Sequence, residues 1–214
     1  MDKRILALIA AIVATSIFGF NHTIAKELMP NVLSPNALLY SRVLGAAICF
    51  WFVSLFTKRE KVEIKDFKLI IICAIFGMGL NMITALNGLY NSTPINSSII
   101  TTLAPIFIFL ISVILLKEKI SKRKYAGVFI GFIGTLTLIL LNEKSLENAP
   151  NINLGNFYLF INSISYALYF VLVKPLTEKY NMITIMKWLF LFSVFINIPF
   201  GLVEFMQVEW VEIN

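Results

Sequence analysis

The sequence predicts an all-α integral membrane protein with seven transmembrane helices, and three observations carry that prediction. Of its 214 residues, 58% are hydrophobic and only 14% charged, with a mean hydropathy of +0.83; soluble domains carry about 25% charged residues. From Leu69 to Leu116 the chain runs for 48 residues without an Asp, Glu, Lys, Arg or His, more than twice the roughly 20 residues one helix needs to cross hydrocarbon. The apolar runs are also continuous. Stretches such as Ile106-Phe107-Ile108-Phe109-Leu110-Ile111 are apolar on both faces, whereas a barrel strand alternates, so helices are the spanning form.

Taken in order, the first segment covers about residues 5–25. Lys3 and Arg4 before an apolar run imitate a signal peptide, but the run reaches Phe20 and six similar segments follow it, so it reads as an uncleaved helix. Pro30 and Pro35 punctuate the turn to the second segment, 37–56, which is followed by the charged stretch Lys58 to Lys68. The third and fourth segments, 68–90 and 96–116, are separated at Pro94. A basic cluster from Lys117 to Lys124 precedes the fifth, 124–141; Asn148 to Asn153, around Pro150, separates it from the sixth, 154–173, and the seventh covers 183–205. No soluble domain or long linker interrupts the series. Cys49 and Cys73 lie inside apolar runs without CxxC or metal-type spacing and read as small hydrophobes between helices.

Basic loops are retained in the cytoplasm. Fifteen of the 18 Lys and Arg residues fall on the side of the N-terminus, while Lys26 and Lys144 lie on the other and Arg42 lies within a span. The N-terminus is therefore expected in the cytoplasm and residue 214 outside, where Glu204, Glu209 and Glu212 occur without a basic residue. Although the formal charge is +6, it is concentrated in these loops, which excludes nucleic acid and names the lipid bilayer as the partner; the Lys117 to Lys124 cluster is first a topology signal, with anionic-lipid contact its secondary role.

Laying segments six and seven over one and two gives a weak internal repeat. Ile17-Phe18-Gly19-Phe20 and Ile24-Ala25-Lys26 align with Ser165-Tyr166-Ala167-Leu168 and Leu172-Val173-Lys174. Segment one runs outward and segment six inward, so the repeat is inverted, as in many secondary transporters. Three further motifs stand in order: Ala104-Pro105-Ile106-Phe107; Leu115-Leu116-Lys117-Glu118-Lys119-Ile120; and Gly127-Val128-Phe129-Ile130-Gly131-Phe132-Ile133-Gly134. With Phe18-Gly19-Phe20-Asn21 and Arg42 they resemble the drug/metabolite transporter superfamily, specifically its EamA-type members; Phe18 stands where that family has Trp. The resemblance implies a ten-helix fold of two inverted five-helix repeats. Residues 1–142 would form the first repeat, 143–153 an external loop, and 154–214 an incomplete second repeat ending after the seventh helix. Truncation and a divergent seven-helix member both accommodate the missing helices, truncation being preferred.

Arg42 is the sharpest candidate for chemistry, since a charge near a span's centre costs about 2.5–3.5 kcal/mol on insertion scales. It either snorkels to external headgroups or faces inward and binds a carboxylate or phosphate in two-pronged fashion, with structural pairing to another helix a third role. The polar set Asn21, His22, Asn81, Asn87, Asn96, Asn162, Tyr166, Tyr169 and Asn197 serves either helix-to-helix hydrogen bonding or a solvated cavity. Asn21, Asn81, Tyr166 and Tyr169 are the lining residues expected beside Arg42. His22, the only histidine, is a packing residue or a proton-coupling group; with one histidine and no buried acid, neither a metal site nor a catalytic triad is expected, and no cofactor. Gly127, Gly131 and Gly134 share a helical face for close packing within the protomer or for a homodimer contact, and Pro105 is a candidate hinge.

Together with the resemblance, these residues predict a secondary transporter, not an enzyme, in the cell membrane. It is expected to export a small metabolite such as an amino acid or related carboxylate by alternating access. A buried glutamate of the kind that exchanges protons for cationic drugs is missing, which disfavours drug efflux, and a seven-helix receptor would place its N-terminus outside. The alternative is a non-transporting fragment or assembly subunit of a membrane complex.

Overall fold

The computed structural model describes residues 3–29, 32–116, 122–141 and 149–208. Among the described residues every regular element is helical. In order these are α1 (Lys3–Leu28), α2 (Pro35–Ser54), α3 (Ile64–Ala74), a π-helical stretch (Ile75–Leu80), α4 (Asn81–Asn91), α5 (Pro94–Thr101), α6 (Ala104–Leu116), α7 (Lys122–Leu141), α8 (Ile152–Lys179) and α9 (Met182–Met206). Six helical stretches are long and apolar enough to cross a membrane. The seventh, α7, has 20 residues, about 30 Å at 1.5 Å per residue.

The seven spans thus stand where hydropathy places them, but two are not uniform α-helices. The third is α3, the π-helical stretch and α4 in succession, and the fourth is broken between α5 and α6 at Thr102 and Leu103. Pro30, the Lys117, Glu118 and Lys119 cluster, Lys144 and the loop around it to Asn148, and Glu209 and Glu212 lie outside the described residues.

Helix starts follow local chemistry. Ser34 caps α2, its Oγ accepting from the Ala37 N–H, with Pro35 in the first turn; Thr93 and Pro94 repeat the device at α5, and Asn151 caps α8 through the Leu154 N–H. At the core α8 packs against α3, α4, α5, α6 and the π-helical stretch, while α2 lies along α9. Leu39, Ile70, Leu159, Leu176, Ile185 and Leu189 fill the interior. By contrast α1 touches α4 and α5 only lightly, and Ile5, Leu8, Ile12, Ile17 and Phe20 along it are exposed.

Each end of the bundle is tied by polar groups. At one, Lys179 Nζ donates to Asp66 Oδ2 at 2.6 Å and to Glu63 Oε1 at 2.7 Å, and the Tyr180 hydroxyl donates to Asp66 Oδ2 at 2.6 Å. Hydrogen bonds from Lys179 and then Lys65 hold the Glu63 carboxyl below its usual range. The stretch from Lys58 to Lys68 and the one around Lys179 therefore share one end, as the charge count requires. At the other end Glu204 accepts from Ser34 Oγ at 2.5 Å and from Asn36 Nδ2 at 2.8 Å.

Lys26, read from sequence only as a loop charge, turns out to be a helix cap. Its Nζ donates to the carbonyls of Leu89 (3.0 Å), Tyr90 (2.6 Å) and Ser92 (2.8 Å) at the C-terminus of α4, where the helix dipole favours a cation. Replacing it by Met keeps the length of the side chain and removes the donors. Lys26→Met is expected to destabilise the fold by about 1–3 kcal/mol, read as a lower thermal unfolding midpoint in nanodiscs; an unchanged midpoint would show the cap to be dispensable.

Candidate functional site

The two broken spans are held by side chains of α8. A π-helical stretch shifts the backbone register and loosens its carbonyls; here Ser165 Oγ donates to the Phe76 carbonyl at 2.7 Å. Just beyond it, Asn81 Nδ2 donates to the Asn162 carbonyl (3.2 Å) while Asn162 Nδ2 donates to the Asn81 carbonyl (2.8 Å), a reciprocal clamp. At the other break, Ser163 Oγ donates to the Ile100 carbonyl at 3.2 Å. Ser163, Ser165 and Asn162 of α8 thereby add a second hydrogen bond to carbonyls at the two irregular stretches, which already accept from the Leu103 N–H, the Asn81 N–H and the Thr84 hydroxyl.

Beside these seams lies a cavity of about 590 Å³, with walls from α1, α2, α4, α5, α6 and α8. Its walls are mainly apolar, with Phe18, Met82, Leu86, Leu89 and Leu159 among them, and no Asp or Glu among the described residues lines it. Arg42 brings the charge. From α2 its Nη2 donates to Asn21 Oδ1 on α1 at 2.7 Å, so the side chain is turned across to α1 and lines the cavity. Asn21 takes one of five N–H donors in the guanidinium fork. An apolar enclosure strengthens the field of such a charge, because little water screens it.

Of the residues singled out in the sequence, Asn21, His22, Arg42, Asn81, Pro105, Asn162 and Tyr166 come together around this cavity. His22 Nδ1 lies 3.3 Å from the Phe18 carbonyl, with the two rings 4.8 Å apart. Tyr169 does not line the cavity. It is buried in the core against the π-helical stretch, where a Cβ on Gly77 would come within 2.5 Å of its ring. Asn87 donates to the Ile83 carbonyl (2.9 Å) and across to Asn36 on α2 (3.3 Å), and Asn96 is buried beside Asn156 of α8, so these two link helices, whereas Asn197, also buried, donates to the Ser193 carbonyl (2.8 Å) within its own helix.

The glycine face of α7 divides. A Cβ on Gly131 would meet Ile106 at 3.3 Å, whereas nothing lies within 4 Å of one on Gly127 or Gly134, so close packing inside the described protomer belongs to Gly131 alone. Pro105 is the second residue of α6, just after the break in the fourth span. Sequence reasoning missed Ser97, Thr101 and Thr102, which line the cavity at that break, because it took 96–116 as one continuous helix; Pro105, which has no N–H for the preceding turn, was the available signal. Among the described residues no group of three or more His, Cys, Asp and Glu side chains is arranged to hold a metal ion.

Comparison with known proteins places this architecture. The EamA-like transporter family model matches residues 5–140, well over half of the chain. An uncharacterized transporter of Bacillus subtilis, YetK, is 26% identical over 95% of this chain and 62% of its own length. An uncharacterized transporter of Archaeoglobus fulgidus is 30% identical over 72% of this chain and 52% of its own, and a WAT1-related protein of Arabidopsis thaliana 24% identical over 79% and 53%. The chain therefore spans between about half and under two thirds of the length of these curated relatives. No solved structure gives a significant match.

Proposed function

We propose a carrier of small carboxylates, and the premise is that this chain belongs to the EamA-like transporter family. The observation that carries the proposal is the placement of Arg42. Among the described residues it is the one charged side chain in a largely apolar cavity, oriented by Asn21, and no acidic side chain among them lines the cavity to neutralise it. A planar guanidinium in such a place matches the two oxygens of a carboxylate, and the apolar walls match a small hydrocarbon body. The solute class that fits is an amino acid or a related carboxylate, moved outward by a secondary transporter.

In this proposal the whole protein has ten helices in two inverted halves that rock about the cavity. Residues 1–142 form the first half, 143–153 an external loop, and 154–214 part of the second. The N-terminus is cytoplasmic and the membrane is that of the cell, since the basic loops gather at one end. The light contact of α1 with the rest of the bundle favours a second reading, a fragment or subunit that needs another polypeptide before it transports.

The test is reconstitution of the purified protein in lipid vesicles and measurement of labelled amino acid and monocarboxylate flux. At least one of these solutes is expected to move well above the empty-vesicle control. Flux of none of them would overturn the carrier proposal for this chain alone and favour the subunit.

A further inference from the structure

We infer that His22 is a proton-binding site of the cavity, so that the carboxylate held by Arg42 is bound together with one proton. This rests on Arg42 binding the carboxylate, as proposed above, and adds a second site beside the first.

His22 stands where a charge on it is felt at Arg42. It follows Asn21, whose Oδ1 accepts from Arg42 Nη2 at 2.7 Å, and both His22 and Arg42 line the cavity. The surroundings also fix which ring nitrogen is basic. Nδ1 lies 3.3 Å from the Phe18 carbonyl; a carbonyl only accepts, so in the neutral ring Nδ1 carries the hydrogen and Nε2 the lone pair. A proton taken from water at Nε2 leaves the Nδ1 contact intact and makes the ring a cation. The Phe18 ring, 4.8 Å away between centroids, is within the range at which an aromatic face attracts a cation.

The other ionisable groups around α1 leave this pair to itself. α1 packs on α4 and α5; α5 carries no ionisable side chain, and α4 carries only the Tyr90 phenol, which lies under Lys26. Lys26 itself is engaged by three carbonyls at the C-terminus of α4. Across the cavity α8 presents Tyr166, a phenol and not a carboxylate, and α2 presents Arg42. Glu27 on α1 is exposed and does not line the cavity. His22 is the only histidine of the chain, and histidine is the side chain that ordinarily changes its charge between about pH 5 and 8.

In an enclosure with mainly apolar walls, Arg42 alone repels a second positive charge. A carboxylate seated on the guanidinium cancels that repulsion and attracts the imidazolium in turn. Anion and proton therefore bind cooperatively, each raising the affinity for the other by the same factor, and together they add no net charge to the cavity. The affinity for the carboxylate rises as the pH falls and His22 takes up its proton.

Isothermal titration calorimetry on the protein in nanodiscs tests this with 4-methyl-2-oxopentanoate, an apolar acid that stays ionised over the range used. Its affinity is expected to be about tenfold higher at about pH 5.5 than at about pH 7.5. Titrations in two buffers of unlike ionisation enthalpy are expected to show uptake of up to about one proton per anion bound. His22→Gln and His22→Asn put an amide in place of the ring and cannot take the proton. Each is expected to bind the acid with an affinity that changes by less than about twofold over the same range, without proton uptake, a pattern that a loss of fold would not produce. Equal or weaker binding at the lower pH in the unaltered protein would overturn the proton site and leave the carboxylate proposal standing. A pH dependence that persists in both variants would overturn its assignment to His22, as would loss of all binding in both at the higher pH, where the ring is to act uncharged. No binding by the unaltered protein at either pH would overturn the carboxylate proposal and the proton site together.

Discussion

Arg42→Leu is expected to lower carboxylate transport in vesicles by about 10²-fold or more. Two charge-assisted hydrogen bonds contribute about 1.5–3 kcal/mol each, and each 1.4 kcal/mol is about tenfold in affinity. Arg42→Lys separates the roles the sequence left open. A lysine keeps the charge and can reach headgroups, but it has no planar fork. The bond from Arg42 to Asn21 at 2.7 Å turns the guanidinium toward α1 and the cavity, so Arg42→Lys is also expected to lose transport, by about tenfold or more. Full activity in Arg42→Lys, with protein abundance matched, would reduce Arg42 to a snorkelling charge.

Gly155→Ala is expected to be among the most disruptive single-methyl changes in the protein. A Cβ at Gly155 would lie 2.6 Å from the Ser92 nitrogen and 2.7 Å from the Asn91 carbonyl carbon. These are backbone atoms that no rotamer change can move, so the first turn of α8 must lift off the end of α4. Overpacking of this kind costs about 1–3 kcal/mol, occasionally more, and the thermal unfolding midpoint should fall accordingly. Gly127→Ala and Gly134→Ala are the contrast, because a methyl there has open space around it. Both should be neutral or gain up to about 1 kcal/mol of helix propensity. A Gly155→Ala protein as stable as the unaltered one would show that the approach of α8 to α4 is looser than its geometry.

The sequence pattern at Gly127, Gly131 and Gly134 made that face the expected site of close packing, and the structure moves most of that role elsewhere. Spacing along a helix says which residues share a face, not whether another helix lies against it. Tyr169 shows the same limit. It is three residues from Tyr166, close enough on α8 for both to be expected at one cavity, yet Tyr166 reaches the wall while Tyr169 packs over Gly77. The break between α5 and α6 was legible in principle, since Pro105 announces a lost hydrogen bond. Its consequence, that Ser97 and Thr101 face a cavity, was not, because that needs α8 beside the break. Lys26 was legible only as a charge; its three acceptors lie more than 60 residues away.

Hydropathy, the distribution of basic residues and the order of short motifs determined that this chain is a helical membrane protein, how many spans it has and which family it resembles. These properties are nearly additive along the chain: each span is selected by the partitioning of its own residues between water and lipid, with little reference to the others. The tertiary structure alone decided which polar side chains share a cavity, which glycines touch backbone, and where Arg42 points. In lipid, helices are chosen as neighbours by close packing and a few hydrogen bonds, not by hydrophobicity, and pairs such as Asn81 with Asn162 or Gly155 with Ser92 become neighbours only when distant parts of the chain are brought together.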